Sequence, residues 1–491
     1  MPTEKELIDE RKRKREELLK LGINPYPYKY KPTHKTTDLI EKYKTIQPET
    51  KTNDTVKVAG RIMSLRRMGK ATFMHIMDEN GKIQAFFKYD DLTKTYDLLK
   101  LIDIGDWIGI EGYIFKTKTG ETSVWTTNFE ILCKALRPLP EKWHGLKDIE
   151  QRYRRRYLDL AINPQVRENF KKRTKIIDAI RETLNKREFL EVETPILQQI
   201  YGGASAKPFK THLNTIKMDV FLRISNELHL KRLIVGGFEK IYEFAKDFRN
   251  EDIDRTHNPE FTQIEIYQAH SDFYDMKEIV MDVYIAAAKA IHGGTKFEYQ
   301  GNIIDVKKPW QEYTMVEALR KFAGIDAEKL TTQDMNKLCT QHAIEVAQNP
   351  TKGQLLQALF EELVEEKLIQ PTFITHHPIE TTPLCKSCRE PHLKEHYIER
   401  FEPYIAGMEI ANAYSELNDP VIQRKLLEEQ AEQLRAGSEE AHPMDEDFVQ
   451  AIEYGMPPTG GVGIGIDRMA MILTNNPSIR DVLFFPFMGK Q

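Results

Sequence analysis

Phe248-Arg249-Asn250-Glu251-Asp252-Ile253-Asp254-Arg255-Thr256-His257-Asn258-Pro259-Glu260-Phe261 lies between two segments that read as strands. Lys240-Ile241-Tyr242-Glu243-Phe244 precedes it and Thr262-Gln263-Ile264-Glu265-Ile266-Tyr267 follows it. Two strands joined by a polar loop carrying arginines, a histidine, acids and a closing aromatic predict a hairpin that holds a phosphate-bearing base. A solvated surface turn would have the same composition, so the rest of the chain must decide.

At 491 residues the chain is too long for one ordinary core, and about two to four domains are expected. Its 40% apolar and 30% charged content fits a soluble globular enzyme. No apolar run approaches the roughly 18 residues needed to span a bilayer. The N-terminus mixes Arg and Lys with Glu and Asp and has no apolar core, so neither a secretory signal nor a transit peptide is expected. Four cysteines point to a reducing compartment without a disulfide framework, and the expected location is cytoplasmic. A net charge of -4 argues against a protein that coats nucleic acid uniformly, but leaves room for local basic surfaces. Arg11-Lys12-Arg13-Lys14-Arg15 and the cluster Arg152, Arg154, Arg155 and Arg156 are leads of that kind, beside the plainer reading as solvated ion-pair faces.

Residues 4–20 read as a helix, and the stretch from Pro25 to Thr37 breaks it. Short alternating strands follow at Val56/Val58, Phe73–Met77, Ile83–Phe87, Trp107–Ile114 and Ser123–Leu132, a pattern that fits a small closed barrel such as the oligonucleotide-binding (OB) fold. Pro138, Pro140 and the arginines before Pro164 read as a linker. Beyond it Phe170, Ile177, Ile180 and Leu184 recur at helical spacing, a strand is expected at Phe189–Val192, and helices at 353–368, 420–436, 445–454 and 467–475. Strands and helices mix without βαβ alternation, so an α+β domain on an antiparallel sheet is the expected class. The expected divisions are 1–50 (N-terminal helix and extension), 51–137 (barrel), 138–165 (linker) and 166–491 (the α+β domain).

Near the C-terminus, Gly460-Gly461-Val462-Gly463-Ile464-Gly465-Ile466-Asp467-Arg468-Met469 predicts a strand whose backbone can be approached closely, running into a helix with Arg468 in its first turn. It is not GxGxxG and implies no dinucleotide fold. Alone, it fits a tight packing corner equally well.

Together these segments resemble the class II aminoacyl-tRNA synthetases. The hairpin resembles their motif 2, the glycine strand with Asp467-Arg468 their motif 3, and helix 167–187 leading to Glu193-Thr194-Pro195 their motif 1, in the family's order. Within the class the resemblance is closest to the lysyl-tRNA synthetases. It is carried by Gly202-Gly203-Ala204-Ser205-Ala206-Lys207-Pro208-Phe209, Asn226-Glu227-Leu228-His229-Leu230-Lys231-Arg232-Leu233 and Glu409-Ile410-Ala411-Asn412-Ala413-Tyr414-Ser415-Glu416-Leu417-Asn418-Asp419. It extends over roughly residues 50 to 490, barrel included.

The resemblance implies a lysine–tRNA ligase that makes lysyl-adenylate from ATP and L-lysine and passes the lysyl group to the 3′-terminal ribose of tRNA(Lys). It implies that Arg249 grips the α-phosphate, where a planar guanidinium can make two charge-assisted bonds. His257 and Arg468 match the groups on the γ-phosphate, and Phe261 resembles the aromatic under adenine, with Arg468 on the other face. By the same resemblance Glu251 would take the adenine amino group, and Asn258 would belong to the ATP-binding set. Glu402 and Glu409 match magnesium-binding acids, hard oxygen ligands of the kind Mg²⁺ prefers. Arg249 and Arg468 are the expected catalytic residues; positioning and charge neutralisation can carry the reaction, so no side-chain general base is named.

Lysine brings two ammonium groups and one carboxylate, so its pocket should be rich in acids. By resemblance, Glu265, Glu416 and Tyr267 meet the ε-ammonium, Glu227 and the backbone at Gly203 the α-amino group, and Arg249 and Asn412 the carboxylate. Buried acids without a cation are costly, which disfavours neutral or acidic amino acids. In the barrel, Phe73, Gln84 and Glu121 match positions that stack on and hydrogen-bond to anticodon bases; Arg61, Arg66 and Arg67 are candidates for added phosphate contacts. A homodimer across motif 1 is implied as well.

Two features depart from simple expectation. Asp252 stands where the family commonly has glycine. Cys385-Lys386-Ser387-Cys388 with His392 and His396 superficially resembles a zinc site, but its spacing is tighter than zinc-finger patterns and an incidental thiol pair is expected. Two other functions stay open on sequence alone. A ligase placing lysine on a protein would be expected to lack the barrel, and a catalytically dead RNA-binding relative would be expected to lose Arg249, Arg468 or the paired acids.

Overall fold

The alternating segments after residue 50 close into a barrel of Lys51–Met68, Ala71–Met77, Lys82–Lys88, Trp107–Lys116 and Thr122–Cys133, joined in the order first, second, third, fifth, fourth. The computed structural model describes residues 2–140, 148–435 and 443–489, which divide into units spanning 1–147 and 148–491. In the barrel, Met74 and Ile76 point inward with Val58, Ile62 and Ile110, while Phe73 and His75 stay partly exposed on the outer face. Period-two alternation dictates that separation.

Helix Glu4–Lys20 opens the first unit on a capping box formed by Thr3 and Glu6. Its basic run is not a free surface. Arg11 is buried and donates to the carbonyls of Ile104, Ala135 and Arg137, Arg13 pairs with Glu10 and Glu17, and Lys14 with Asp103. Arg67 likewise donates to the carbonyls of Leu99 and Ile102.

The stretch expected as a linker is not one throughout. Ile149–Arg154 and Arg156–Ile162 are helices of the second unit. Arg156 is buried, paired with Asp159 at 2.8 Å and donating to the carbonyls of Arg480, Leu483 and Phe484. Residues 141–147 lie outside the described residues.

The second unit is built on a sheet in the order Gln311–Thr314, Thr372–Pro378, Tyr397–Ile405, Ala411–Ser415, Thr459–Gly465, Glu260–Ala269, Lys240–Phe248, Leu190–Glu191. Neighbours run antiparallel except at the two ends, where Gln311–Thr314 and Leu190–Glu191 pair in parallel. One face is apolar. Ile264, Ile266, Phe401, Ala411, Ala413, Val462 and Ile464 pack with helices Pro164–Lys186, Phe273–His292 and Ile466–Leu473 in one core. The residues between them, among them Glu265, Tyr267, Glu402, Asn412, Tyr414 and the glycines, turn to the other face and line a cavity. Helix Phe273–His292 is absent from the expected helices. Its buried residues include Phe273, Met276, Ile279, Val280, Val283, Tyr284 and Ala287, more than one narrow stripe.

Candidate functional site

Register explains the glycines of the Thr459–Gly465 strand. Tyr267 stands opposite Gly461 and Glu265 opposite Gly463 on one side, and Tyr414 and Asn412 oppose the same two glycines on the other. A Cβ on Gly461 would lie 2.1 Å from Glu416 Oε1 and 2.5 Å from the Tyr267 ring; one on Gly463 would lie 2.6 Å from Glu265 Oε1. The glycines therefore make room for side chains from neighbouring strands rather than for a phosphate loop. Gly203, at φ +89°, sits where a Cβ would come within 2.9 Å of Ser225 Oγ and 3.1 Å of Glu227 Cβ.

The cavity so formed holds about 870 Å³. At one end Glu227, Glu265, Glu416 and Tyr267 converge, all buried. Burial pushes Glu265 well above the ordinary carboxylate range, and the nearby charges of Glu227, Asp247 and Glu416 push the same way. Gln263 Nε2 donates to Glu265 Oε1 at 3.0 Å.

At the other end stand the hairpin and the Ile466–Leu473 helix. The Arg249 guanidinium lies 5.0 Å from the centre of the Phe261 ring, and its Nε has no hydrogen-bond partner among the described residues. His257 Nδ1 is 2.8 Å from Asp254 Oδ2, and its Nε2 is 3.2 Å from Arg468 Nη2. Burial pushes Asp254 up, but its bonds with the His257 ring and the amides of Thr256 and His257 outweigh that and bring it down to about 2. Arg468 also donates to Glu409 O at 2.6 Å and lies 3.2 Å from Glu409 Oε2. The preceding residue, Asp467, accepts from Arg173 at 2.6 Å and from the Thr262 amide at 2.7 Å, which ties the long N-terminal helix of this unit to the hairpin arm and sets the start of the Arg468 helix.

Some expected residues are engaged by protein. Asn258 Nδ2 donates to Glu260 O at 2.6 Å and its Oδ1 accepts from the Phe487 amide at 3.2 Å, so the side chain fastens the hairpin to the C-terminal segment. Glu251 Oε1 accepts from the Lys207 amide at 3.1 Å. Asp252 is exposed at the cavity rim.

Glu402 is held by Arg400 and by the Tyr404 hydroxyl at 2.8 Å, and Arg400 Nε donates to Asn412 Oδ1 at 3.1 Å. Glu361 and Glu365 line the same wall, and burial together with Glu361, Glu402 and Glu409 pushes Glu365 up to about 8. Sequence reasoning missed Arg400, although it alternates with Glu402 and Tyr404 along one strand. It also missed Lys231, Arg173, Glu361 and Glu365, whose roles depend on distant partners.

On the barrel, Phe73 packs against Phe86 with ring centres 4.9 Å apart. Beside it runs a polar chain in which Ser64 Oγ meets His75 Nδ1 at 2.8 Å, His75 Nε2 meets Glu121 Oε1 at 2.7 Å, and Gln84 Nε2 donates to Glu121 Oε2 at 2.8 Å. Gln84 is largely buried and Glu121 exposed. Among the described residues, the metal-capable side chains that gather are His376, Cys388 and Glu390; Cys385, His392 and His396 are not part of that group. Burial pushes the Cys388 thiol up to about 12 and Cys385 well above its usual value.

A closed barrel followed by an antiparallel sheet that displays this hairpin and a glycine strand running into the Arg468 helix is the architecture of a class II tRNA synthetase. The family model for tRNA synthetases class II (D, K and N) matches residues 148–489, and that for the OB-fold nucleic acid binding domain matches residues 56–139. Lysine–tRNA ligases are similar along nearly the whole chain. That of Thermoanaerobacter pseudethanolicus is 49% identical over 486 residues, covering 98% of this chain and 96% of the relative. That of Oceanobacillus iheyensis is 48% identical over 482 residues, 97% of each, and that of Moorella thermoacetica 46% over 490, 99% of each. The chain belongs to the lysine–tRNA ligase family of the class II synthetases.

Proposed function

We propose that the cavity of the second unit activates L-lysine with ATP and transfers the lysyl group to the 3′-terminal ribose of tRNA(Lys), the reaction of its family, with the following division of labour. Glu265, Glu416 and Tyr267 take the ε-ammonium, Glu227 and the Gly203 backbone the α-amino group, and Arg249 and Asn412 the carboxylate. The observation that carries this reading is the clustering of Glu227, Glu265 and Glu416, all buried, at one end of a cavity whose other end presents Arg249, His257 and Arg468.

ATP lies with adenine on Phe261, its amino group at Glu251 and its α-phosphate at Arg249. The unpartnered Arg249 Nε is a donor waiting for an anion. His257 and Arg468 hold the γ-phosphate, His257 with its ring oriented by Asp254. Asn258 supports this site through the hairpin. The lysine carboxylate attacks the α-phosphorus in line, pyrophosphate leaves, and the ribose hydroxyl of tRNA then attacks the mixed anhydride. Arg249 holds both reacting partners, so positioning and charge neutralisation supply the catalysis.

Glu402 and Glu409 are the residues that would hold Mg²⁺. The donor set fits: Glu361, Glu365, Glu402 and Glu409 bring hard carboxylate oxygens to one wall of the cavity. When bound, the ion neutralises part of the phosphate charge.

In the barrel, Phe73 stacks an anticodon base while Gln84 and Glu121 meet base edges, Gln84 by releasing part of its present bonding to Glu121. A homodimer is supported by the exposed apolar side chains of Leu190, Ile196, Leu197 and Ile200 around the motif 1 segment. A cytoplasmic location fits a translation enzyme, and no helix among the described residues is long and apolar enough to cross a membrane. Pyrophosphate exchange with each of the twenty amino acids, followed by tRNA charging, tests the assignment. Exchange confined to lysine with charging of tRNA(Lys) is expected. Exchange without charging would overturn the transfer step, and exchange with a neutral or acidic amino acid would overturn the pocket.

A further inference from the structure

Lys231 is fully buried and does not line the cavity, yet its Nζ lies 2.6 Å from Glu227 Oε1 and 2.5 Å from Glu416 Oε2. It comes from helix Glu227–Val235, one turn after Glu227 and on the same face. Glu416 arrives from the end of the Ala411–Ser415 strand. One ammonium, placed behind the cavity wall, therefore joins the acid assigned to the α-amino group to an acid assigned to the ε-ammonium.

Each carboxylate turns one oxygen back to Lys231 and keeps the other. Neither Glu416 oxygen makes a hydrogen bond among the described residues: Oε2 meets Lys231 as an ion pair at 2.5 Å, and Oε1 points to the glycine strand, 2.1 Å from where a Cβ on Gly461 would stand. An unpartnered, fully buried carboxylate oxygen on a cavity wall is a group prepared for a cation.

We propose that Lys231 is a positioning residue for the substrate, a resident counter-cation that favours the ionised forms of Glu227 and Glu416 and holds each turned so that one oxygen faces the incoming lysine. This rests on the assignment of those two acids to the lysine pocket. Burial is the larger effect and leaves both carboxyls raised, Glu416 to about 8, while Lys231 limits how far each rises. Without it, Glu227 and Glu416 would crowd beside Glu265 with no cation behind them and would hold their protons, and a neutral carboxylic acid is a poor partner for an ammonium. A pair that merely braced the fold would need only one of the two acids, whereas Lys231 bridges both, from different elements. The other titratable groups around it are Glu265 and Tyr267 on the descending hairpin arm, Tyr414 on the strand before Glu416, and Cys385 and Lys386 on the loop paired with Glu416.

The test is lysine-dependent pyrophosphate exchange with full-length Lys231→Met, Lys231→Arg and Glu416→Gln, across pH. Lys231→Met is expected to raise the KM for lysine at least about tenfold near neutral pH, with the KM for ATP within about twofold of wild type. The penalty shrinks as pH rises, because the acids then ionise without help. Lys231→Arg, which keeps the charge but not the shape, recovers part of the loss. If Lys231→Met does not fold, the arginine variant carries the test: a raised lysine KM with normal ATP KM is expected. An unchanged lysine KM, or a parallel and pH-independent loss for both substrates, overturns the proposal. Glu416→Gln separates the two levels: if it leaves lysine KM unchanged, the pocket assignment itself fails. If it raises lysine KM while Lys231→Met does not, only the role of Lys231 falls.

Discussion

Glu265 and Gly463 face each other across adjacent antiparallel strands, so close that a Cβ on the glycine would lie 2.6 Å from Glu265 Oε1. The clash falls on the far end of a side chain, not on backbone. Gly463→Ala should therefore spare the fold and displace the carboxylate. A displaced carboxylate that loses about 1–3 kcal/mol of binding to the substrate ammonium corresponds to a lysine KM raised roughly fivefold to a hundredfold. The ATP KM should stay near wild type. Steady-state exchange kinetics would show it, and equal changes in both constants would contradict it.

Arg249 and Phe73 offer a contrast between the two units. Arg249→Ala should lower lysyl-adenylate formation by roughly 10² to 10³, the scale on which a lost charge-stabilising donor acts. Phe73→Ala should leave exchange nearly intact and weaken tRNA charging. Wild-type exchange in the first variant, or an equal loss in both assays in the second, would reject the assigned roles.

Asp254 orients His257, and through it the contact with Arg468. Asp254→Ala is expected to raise the ATP KM by about three- to tenfold and to leave the lysine KM unchanged, since about 0.5–1.5 kcal/mol is the net worth of such a bond. Titrating both substrates in the exchange assay distinguishes this from a general loss.

Asp247 gives a pH prediction with a definite sign. Burial pushes it up to about 7 against the opposing pull of Arg223 and Arg249. A carboxyl raised in the folded state keeps a proton that the unfolded chain releases near pH 4, so it costs stability as pH rises through that window. Asp247→Asn should gain stability relative to wild type progressively between about pH 4 and about pH 7, then level off. Urea denaturation at a series of pH values measures the difference; a constant difference would show that Asp247 is ionised throughout.

Much of this site can be read in the residues as written. Glu265 and Tyr267 alternate with Ile264 and Ile266, Asn412 and Tyr414 with Ala411 and Ala413, and Gly461 and Gly463 with Val462 and Ile464, so the two faces of the sheet are visible before any fold is known. Charge was a poorer guide. The run from Arg11 to Arg15 looks like a nucleic-acid surface, yet Arg11 is buried among carbonyls. Cys385 and Cys388, expected as an incidental thiol pair, are both buried, and His376 and Glu390, which gather near Cys388, come from parts of the chain that its local spacing does not point to.

The sequence by itself determined the family, the barrel, the hairpin and the candidate acids and arginines that lie in its motifs, because period-two patterning and motif order are local properties of the chain. Only the tertiary structure decided which charges are neutralised and by what. Lys231 beneath Glu227 and Glu416, Arg400 against Glu402, and Arg173 on Asp467 join elements far apart in the chain. Burial and counter-charge depend on which segments meet, and no local pattern records that.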